Sequence, residues 1–378
     1  MKPTSRELVK ASINHQKIDR VPISDAIWPE ALEEWHKQGY PENMNPSDYF
    51  DFDISYIYMD CSPRFEQKIL EEKSDNVTYE DRYGYTASYE KNKVTLDFID
   101  HKTKDRETWE KIKSRWTFNP VEKEARVDTK SYFKHFDLYP SWQKIKKDYE
   151  KLYASEKYII LVNYGPWEAL WRHRGYENLL MDLALDPEWV SEMAGAHHQM
   201  TLSVLQYCLK MGIKPDGYYS VDDLACNKGM IFSPASWREI FKPYYKELGS
   251  YLRENSIDFL LHCCGNPESI FNDLIEVGVQ VVQPLQVSSG LDVTSLRKKY
   301  SNRLAFWGNI DIRKLGADDN FFENEVLPKV TLAKDGGYIY HSDHSVPSDI
   351  NFKQYKEMID GIKKINFKNS YTPDISKA

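Results

Sequence analysis

The chain has 378 residues, with 50 Lys+Arg against 58 Asp+Glu and a formal charge of −8. Hydrophobic residues make up 41 % and charged residues 29 %, which excludes a disordered chain. The mild acidity and the lack of a basic block argue against nucleic acid as a partner. No apolar run approaches the roughly 20 residues of a membrane span. Five cysteines, an odd number, do not suggest a disulfide framework. Met1 to Leu8 has no apolar signal-peptide core, so a reducing cytoplasm is the expected location. The surplus is aromatic: 26 Tyr, 16 Phe and 10 Trp. A stacking pocket, a large core and a homodimer interface would each use it.

The opening reads as a helix capped by Thr4 or Ser5 and stopped at Asp19-Arg20-Val21-Pro22. Ile23 starts a short extended stretch, and Trp28 to His36 is again helical. Ile54 to Met59 alternates like a strand. Asn76 to Asp100 alternates polar and aromatic residues around a turn at Asp81-Arg82-Tyr83-Gly84, which predicts antiparallel hairpins. Residues 101–156 read as charged helix.

From about residue 157 short apolar runs alternate with helical patterns. The runs are Tyr158–Val162, Gly217–Val221, Ile257–Leu261, Val279–Val282, Arg303–Trp307 and Gly337–Tyr340. The helices begin at Pro187, Pro234, Pro267, Val293, Asn320 and Asn351. Proline suits a helix start, where its missing N–H would lack a partner anyway. Strand–helix alternation implies a parallel sheet. Six units plus the runs near Ile23 and Ile54 make eight. The expected fold is therefore α/β: one (β/α)8 TIM-type barrel domain over residues 1–378. Residues 1–156 hold the N-terminal helical and hairpin elaboration with the first strands, and 157–365 the regular βα units. A doubly wound open sheet is the alternative, weakened by the lack of a Gly-x-Gly-x-x-Gly after the first strand.

Polar residues follow run after run. They are Asn163-Tyr164-Gly165-Pro166-Trp167-Glu168, Asp222-Asp223, His262-Cys263-Cys264-Gly265, Gln283-Pro284, Gly308-Asn309-Ile310-Asp311 and His341-Ser342-Asp343-His344. In a barrel these carboxyl ends converge on one mouth. His262 and Cys264 are two apart on an extended segment and share a side, while Cys263 points away. Imidazole and thiolate are ligands that zinc prefers, and a catalytic zinc keeps one position open. A third ligand has to come from another strand end: His344 first, with Asp343 and His341 as alternatives. Of Asp222 and Asp223, one should face inward and the other bind backbone; a hard metal between them is the other use. Cys61, Cys208 and Cys226 receive no role, and His197-His198 reads as helix packing.

These residues resemble the uroporphyrinogen decarboxylase superfamily, and within it the corrinoid-dependent methyltransferases more than the decarboxylase. The resemblance runs from Thr4-Ser5-Arg6-Glu7-Leu8 and Asp19-Arg20-Val21-Pro22 through Asp186-Pro187-Glu188 and Asp222-Asp223-Leu224. It continues through Ser233-Pro234, Phe241-Lys242-Pro243, His262-Cys263-Cys264-Gly265 and Gly308-Asn309-Ile310-Asp311 to Asp343-His344-Ser345-Val346-Pro347. True decarboxylases carry Arg-Gln-Ala-Gly-Arg after the first strand. Here the stretch is Val21-Pro22-Ile23-Ser24-Asp25-Ala26-Ile27-Trp28, with no arginine to grip carboxylates.

The methyltransferase branch implies His262 and Cys264 as zinc ligands, with His344 at the place of the third. It also implies a separate corrinoid protein as partner. Zinc would act as Lewis acid on the heteroatom carrying the methyl group, with Asp223 or Asp343 as the nearby acid. In the reverse direction zinc would hold an acceptor thiolate. The substrate would meet Asn163, Tyr164, Trp167, Asp222, Gln283, Trp307 and Asn309. Tyr164, Trp167, Trp171 and Trp307 favour an aryl methyl ether and hence O-demethylation. The alternatives are a metal-free decarboxylase or lyase and a non-catalytic barrel that docks a corrinoid protein.

Overall fold

The computed structural model of the protein describes residues 2–91, 95–120, 123–131 and 139–368. Its strands, in chain order, are β1 (Ile54–Met59), β2 (Lys68–Glu72), β3 (Asn76–Glu80), β4 (Tyr85–Glu90), β5 (Asp97–His101), β6 (Val127–Asp128), β7 (Tyr158–Tyr164), β8 (Gly217–Val221), β9 (Ala225–Cys226), β10 (Gly229–Met230), β11 (Asp258–His262), β12 (Val281–Gln283), β13 (Ala305–Trp307) and β14 (Tyr338–Ile339). Parallel pairing runs β1–β7–β8–β11–β12–β13–β14, and β6 joins β1 antiparallel. Ile23 bridges Tyr340 in parallel, and the Asp53 N–H donates to the Ile23 carbonyl at 2.8 Å. The Ile23 segment thus stands between β14 and the start of β1 as the eighth parallel position of the (β/α)8 barrel.

Side chains alternate along each strand, so one set of residues fills the barrel and the other meets the helices. Ile54, Tyr158, Ile160, Tyr219, Leu260, Val281, Ala305, Trp307 and Ile339 form the inner cluster. Val9 and Ile13 of the first helix, Ser5–Ile13, belong to the same cluster and stop the floor of the barrel. That helix starts where the sequence indicates. Thr4 accepts from the Glu7 N–H while the Glu7 carboxylate accepts from the Thr4 N–H, a closed capping box. Ile57, Ile159, Leu161, Tyr218, Phe259, Leu261 and Phe306 face outward into the helix layer. Each such buried side chain contributes about 1.5–3 kcal/mol.

The predicted hairpins form as the antiparallel sheet β2–β3–β4–β5, inserted between β1 and β7. Two readings change. Among its described residues, the span read as charged helix holds the separate α-helices Arg106–Ile112 and Trp142–Ala154, with β6 between them. The segment after β7 turns at once into helices Pro166–Arg174 and Tyr176–Leu185, ahead of the anticipated helix from Pro187. Gly175, at φ 96, makes the corner between the first two. All five cysteines are free. Among the described residues no helix is long and apolar enough to cross a membrane.

Candidate metal and substrate site

The site lies at the carboxyl ends of β8 and β11. Those strands pair in register, His262 beside Val221, so the residues that follow each strand are neighbours. The inward parity of Tyr219 and Val221 continues to Asp223, and that of Leu260 continues to His262 and Cys264. His262 Nε2 lies 3.5 Å from Cys264 Sγ and 3.5 Å from Asp223 Oδ1. The Cys264 backbone N–H donates to Asp223 Oδ1 at 2.8 Å. One donor atom from each of Asp223, His262 and Cys264 lies within 4.8 Å of the other two. Cys263 faces the other way, is buried, and accepts the Leu224 N–H at 3.3 Å.

Burial pushes the Cys264 thiol above its ordinary value, and the Asp223 charge adds to the rise. His344 stands beside the sulfur at the exposed rim, and that contact is what chiefly raises the basicity of its imidazole. Glu168 approaches from the helix after β7. Burial raises its carboxyl, opposed by Arg172, whose guanidinium reaches Glu168 Oε1 at 2.9 Å.

The three side chains open on a cavity of about 850 Å³. Its walls include Trp28, Tyr56, Tyr58, Tyr219, Gln283, Trp307, His341 and His344. The Trp307 ring is 5.4 Å from Tyr219 and 5.5 Å from His341. Asp25, Asp48 and Asp223 are the carboxylates of the described lining, which contains no Lys or Arg. Trp28, Tyr56, Tyr58 and Tyr219 escaped the sequence reading as site residues. The Tyr-x-Tyr alternation of β1 carried the signal, because two tyrosines spaced by two on one strand end must face the same side.

Of the residues expected at the mouth, His262, Cys264, Asp223, Gln283, Trp307 and His344 line this cavity. Asp223, expected as an acid, joins the mutual group with His262 and Cys264. His344, expected as third ligand, stands alongside it. Asp343 opens instead on a neighbouring cavity of about 230 Å³, shared with Trp28 and His344, and accepts the Val287 N–H at 3.1 Å. Burial raises its carboxyl.

The other expected contacts turn away, each for a local reason. Asn163 has the outward parity of β7 and donates to Tyr218 at 2.9 Å and Thr201 at 3.3 Å. Asp222 has the outward parity of β8; it accepts the Glu168 N–H at 2.7 Å and the Tyr245 hydroxyl at 2.6 Å. Trp167 and Trp171 sit on the helix that begins at Pro166. Trp167 is fully buried against Phe232, and Trp171 donates to Glu168 at 2.9 Å. Tyr164 lies under the Arg172 guanidinium, 4.4 Å from its ring centroid. Asn309 adopts φ 74 and ties its loop together, donating to the Leu285 and Leu291 carbonyls and accepting the Val293 N–H.

The fold agrees with a comparison of sequences. The model of the family described as Uroporphyrinogen decarboxylase (URO-D) matches residues 134–365, more than half of the chain. The chain belongs to the uroporphyrinogen decarboxylase family. A solved structure described as a methyltransferase from Methanosarcina mazei shares the fold of this family member. The TM-score is 0.59 at 12 % identity, over 96 % of this chain and 99 % of that one. The tandem GH20 catalytic modules of a pneumococcal exo-beta-D-N-acetylglucosaminidase align over 93 % of this chain and 85 % of that one. With 10 % identity and a TM-score of 0.40 they carry no argument. No curated protein matches.

Imidazole nitrogen, thiol sulfur and carboxylate oxygen within one 4.8 Å group can hold a metal ion. Three donors on a cavity wall, with the cavity as the remaining side, is the donor pattern of a catalytic site and not of a closed structural one. The accumulated negative character of Asp223 beside a Cys264 thiol is what a cation would relieve.

Proposed function

We propose that this family member is a zinc-dependent methyltransferase. The methyl group moves between a small methylated substrate, best an aryl methyl ether, and the corrinoid of a partner protein. The observation that carries the reading is the Asp223–His262–Cys264 group on the wall of an aromatic cavity. His262, Cys264 and Asp223 are the residues that would hold zinc. The ion would supply Lewis acidity to the heteroatom carrying the methyl group.

The chain's own groups prepare that chemistry. His344, beside the sulfur, can accept the proton that Cys264 must lose to become a ligand. Tyr56, Tyr58, Tyr219, Trp28 and Trp307 offer ring faces and edges to an aromatic substrate. Gln283 anchors His262 from behind. The departing heteroatom keeps the electron pair of its bond to methyl and needs a stabilising charge or a proton, so the polar donors cluster on one wall. The carboxylates of Asp25, Asp48 and Asp223 repel a substrate bearing several carboxylates, which favours this reading over porphyrinogen decarboxylation.

The test is metal analysis of the purified chain, followed by chelation and an assay of methyl transfer from an aryl methyl ether to cob(I)alamin. One zinc per chain and transfer that is lost on chelation and restored by zinc are expected. Full transfer by metal-free protein would refute the mechanism.

A further inference from the structure

Behind His262, a line of polar side chains runs from β12 past the segment that follows β14 to the loop after Ile23. Gln283 is the register partner of His262 on β12, and its Oε1 contacts both His262 Nδ1 and the Tyr219 hydroxyl. Gln283 Nε2 lies 3.3 Å from His341 Nε2. His341 Nδ1 lies 2.6 Å from the Ser342 carbonyl and 3.3 Å from Asp25 Oδ1. Asp25 is buried and held by Ser342 Oγ at 2.7 Å and the Tyr355 hydroxyl at 2.8 Å.

The hydrogens along this line follow from its far end. A carbonyl oxygen only accepts, so His341 Nδ1 carries a hydrogen and donates to Ser342. Burial keeps the His341 ring neutral, and its Nε2 is therefore a bare acceptor. Only the NH2 end of the Gln283 amide can satisfy that acceptor. The amide oxygen then faces Tyr219 and His262 and accepts from both. Tyr219 donates its hydroxyl hydrogen to that oxygen. His262 must in turn donate from Nδ1, which leaves the lone pair on Nε2, the nitrogen that faces Cys264 and Asp223.

We infer that Gln283 is a positioning residue: oriented by His341, its amide fixes His262 in the Nδ1–H tautomer and aims the Nε2 lone pair at the Cys264–Asp223 cluster. The benefit for metal uptake rests on the metal reading above; the tautomer does not. A ligand histidine whose other nitrogen is held needs no tautomeric change on metal binding. Gln283 thus acts through His262.

The experiment uses the full chain and two readouts. The first is 15N NMR of the metal-free, histidine-labelled protein, with the His262 signals assigned by the His262→Gln variant. The second is zinc affinity by competition with a chelator. Wild type should show His262 protonated at Nδ1 and bare at Nε2. Gln283→Met, close in size with only a weak thioether acceptor, should lose this single tautomer and bind zinc about 10–100-fold more weakly. Gln283→Glu loses the donor to His341 Nε2 but keeps an acceptor facing His262, so it should retain the Nδ1–H tautomer that Gln283→Met loses, and the two variants separate the hydrogen bond from packing. A His262 proton on Nε2 in wild type overturns the inference, as does Gln283→Met with an unchanged tautomer and affinity. Wild type that keeps the Nδ1–H tautomer yet takes up no zinc overturns the metal reading alone and upholds the tautomer assignment.

Discussion

The Cys264 backbone N–H donates to the Asp223 carboxylate at 2.8 Å, across the gap between two neighbouring strand ends. One residue earlier, Asp222 points to the opposite side of its strand and holds the Glu168 N–H and the Tyr245 hydroxyl. Adjacent, chemically identical side chains therefore do different work, one at the cavity and one in the wall behind it.

That division predicts a crossed pattern of effects. Asp223→Ala should weaken zinc binding by at least about tenfold, since losing even an outer partner of a metal ligand costs that much. Asp222→Ala should leave zinc stoichiometry intact and lower stability. It strands two buried donors, at about 1–3 kcal/mol each. Asp222→Asn keeps an acceptor for the Glu168 N–H and should recover much of that loss. Metal analysis and urea denaturation read the two axes separately. Equal zinc loss in both alanine variants would contradict the assignment.

A second prediction concerns the seam of the barrel. Asp53 is buried and accepts from the Ile23 N–H at 2.7 Å, from Ser5 at 2.5 Å, and from both Arg20 nitrogens at 2.8 and 2.6 Å. One carboxylate ties the eighth parallel segment, the floor helix and the loop between them. Asp53→Ala leaves those donors without their acceptor and should cost about 1–3 kcal/mol for each donor left buried and unpaired. Arg20→Ala should cost less, because the guanidinium is partly exposed and Asp53 keeps its other donors. Urea midpoints of the two variants give the comparison; a smaller loss for Asp53→Ala would reject this view of the seam.

The architecture was readable because strand–helix alternation survives in the apolar runs themselves. The His-x-Cys pair was readable because residues two apart on a strand share a side. The same parity, applied to Asn163 and Asp222, places them outside. Counting polar residues at strand ends obscured that distinction, since a polar side chain can serve a helix behind the strand as well as the mouth. Trp167 was misplaced for another reason. Pro166 starts a helix immediately after β7, so the segment read as mouth loop carries helical geometry and turns its tryptophan into the core. The Ile23 run itself reads as extended, but its closure of the ring does not: the Tyr340 N–H donates to the Pro22 carbonyl, the Ser24 N–H to the Tyr340 carbonyl and the Asp53 N–H to the Ile23 carbonyl, long-range contacts that local pattern does not encode.

Acid sensitivity provides a third prediction. His173 is buried with Nδ1 2.8 Å from the Tyr83 carbonyl and Nε2 2.7 Å from the Thr103 hydroxyl. Nδ1 therefore carries the hydrogen and Nε2 accepts, a pairing made by the neutral ring. Burial lowers its pKa to about 4, and that of His197 to about 3. In the unfolded chain both titrate near 6.5. The unfolded state thus binds more protons below that value, and stability falls as pH decreases. The contribution is complete above about pH 6.5 and is lost progressively toward about pH 4 for His173 and about pH 3 for His197. His173→Gln, which offers one donor and one acceptor without titrating, should flatten the slope of urea midpoint against pH between 6.5 and 4. An unchanged slope would mean that His173 is not a source of the acid sensitivity.

The aromatic wall gives the last prediction, which addresses the substrate and leaves the metal aside. Trp28 is only partly buried, lines the large cavity, and holds its ring 5.9 Å from His344. A ring substrate seated between Trp28 and the Tyr56–Tyr58 side would gain about 0.5–1.5 kcal/mol from ring–ring contact beyond simple burial. Trp28→Leu keeps an apolar wall and removes the ring. Its KM for an aryl methyl ether should rise about twofold to tenfold, the equivalent of that energy. Its zinc content should stay at the wild-type level, because the Trp28 ring packs beside His344 while the metal group is formed by Asp223, His262 and Cys264. A small aliphatic methyl donor, with no ring to stack, should show no such rise. Steady-state methyl transfer with the two donors side by side decides the matter: an equal loss for both would remove stacking as the basis of selection and leave the cavity's shape as the only discriminator.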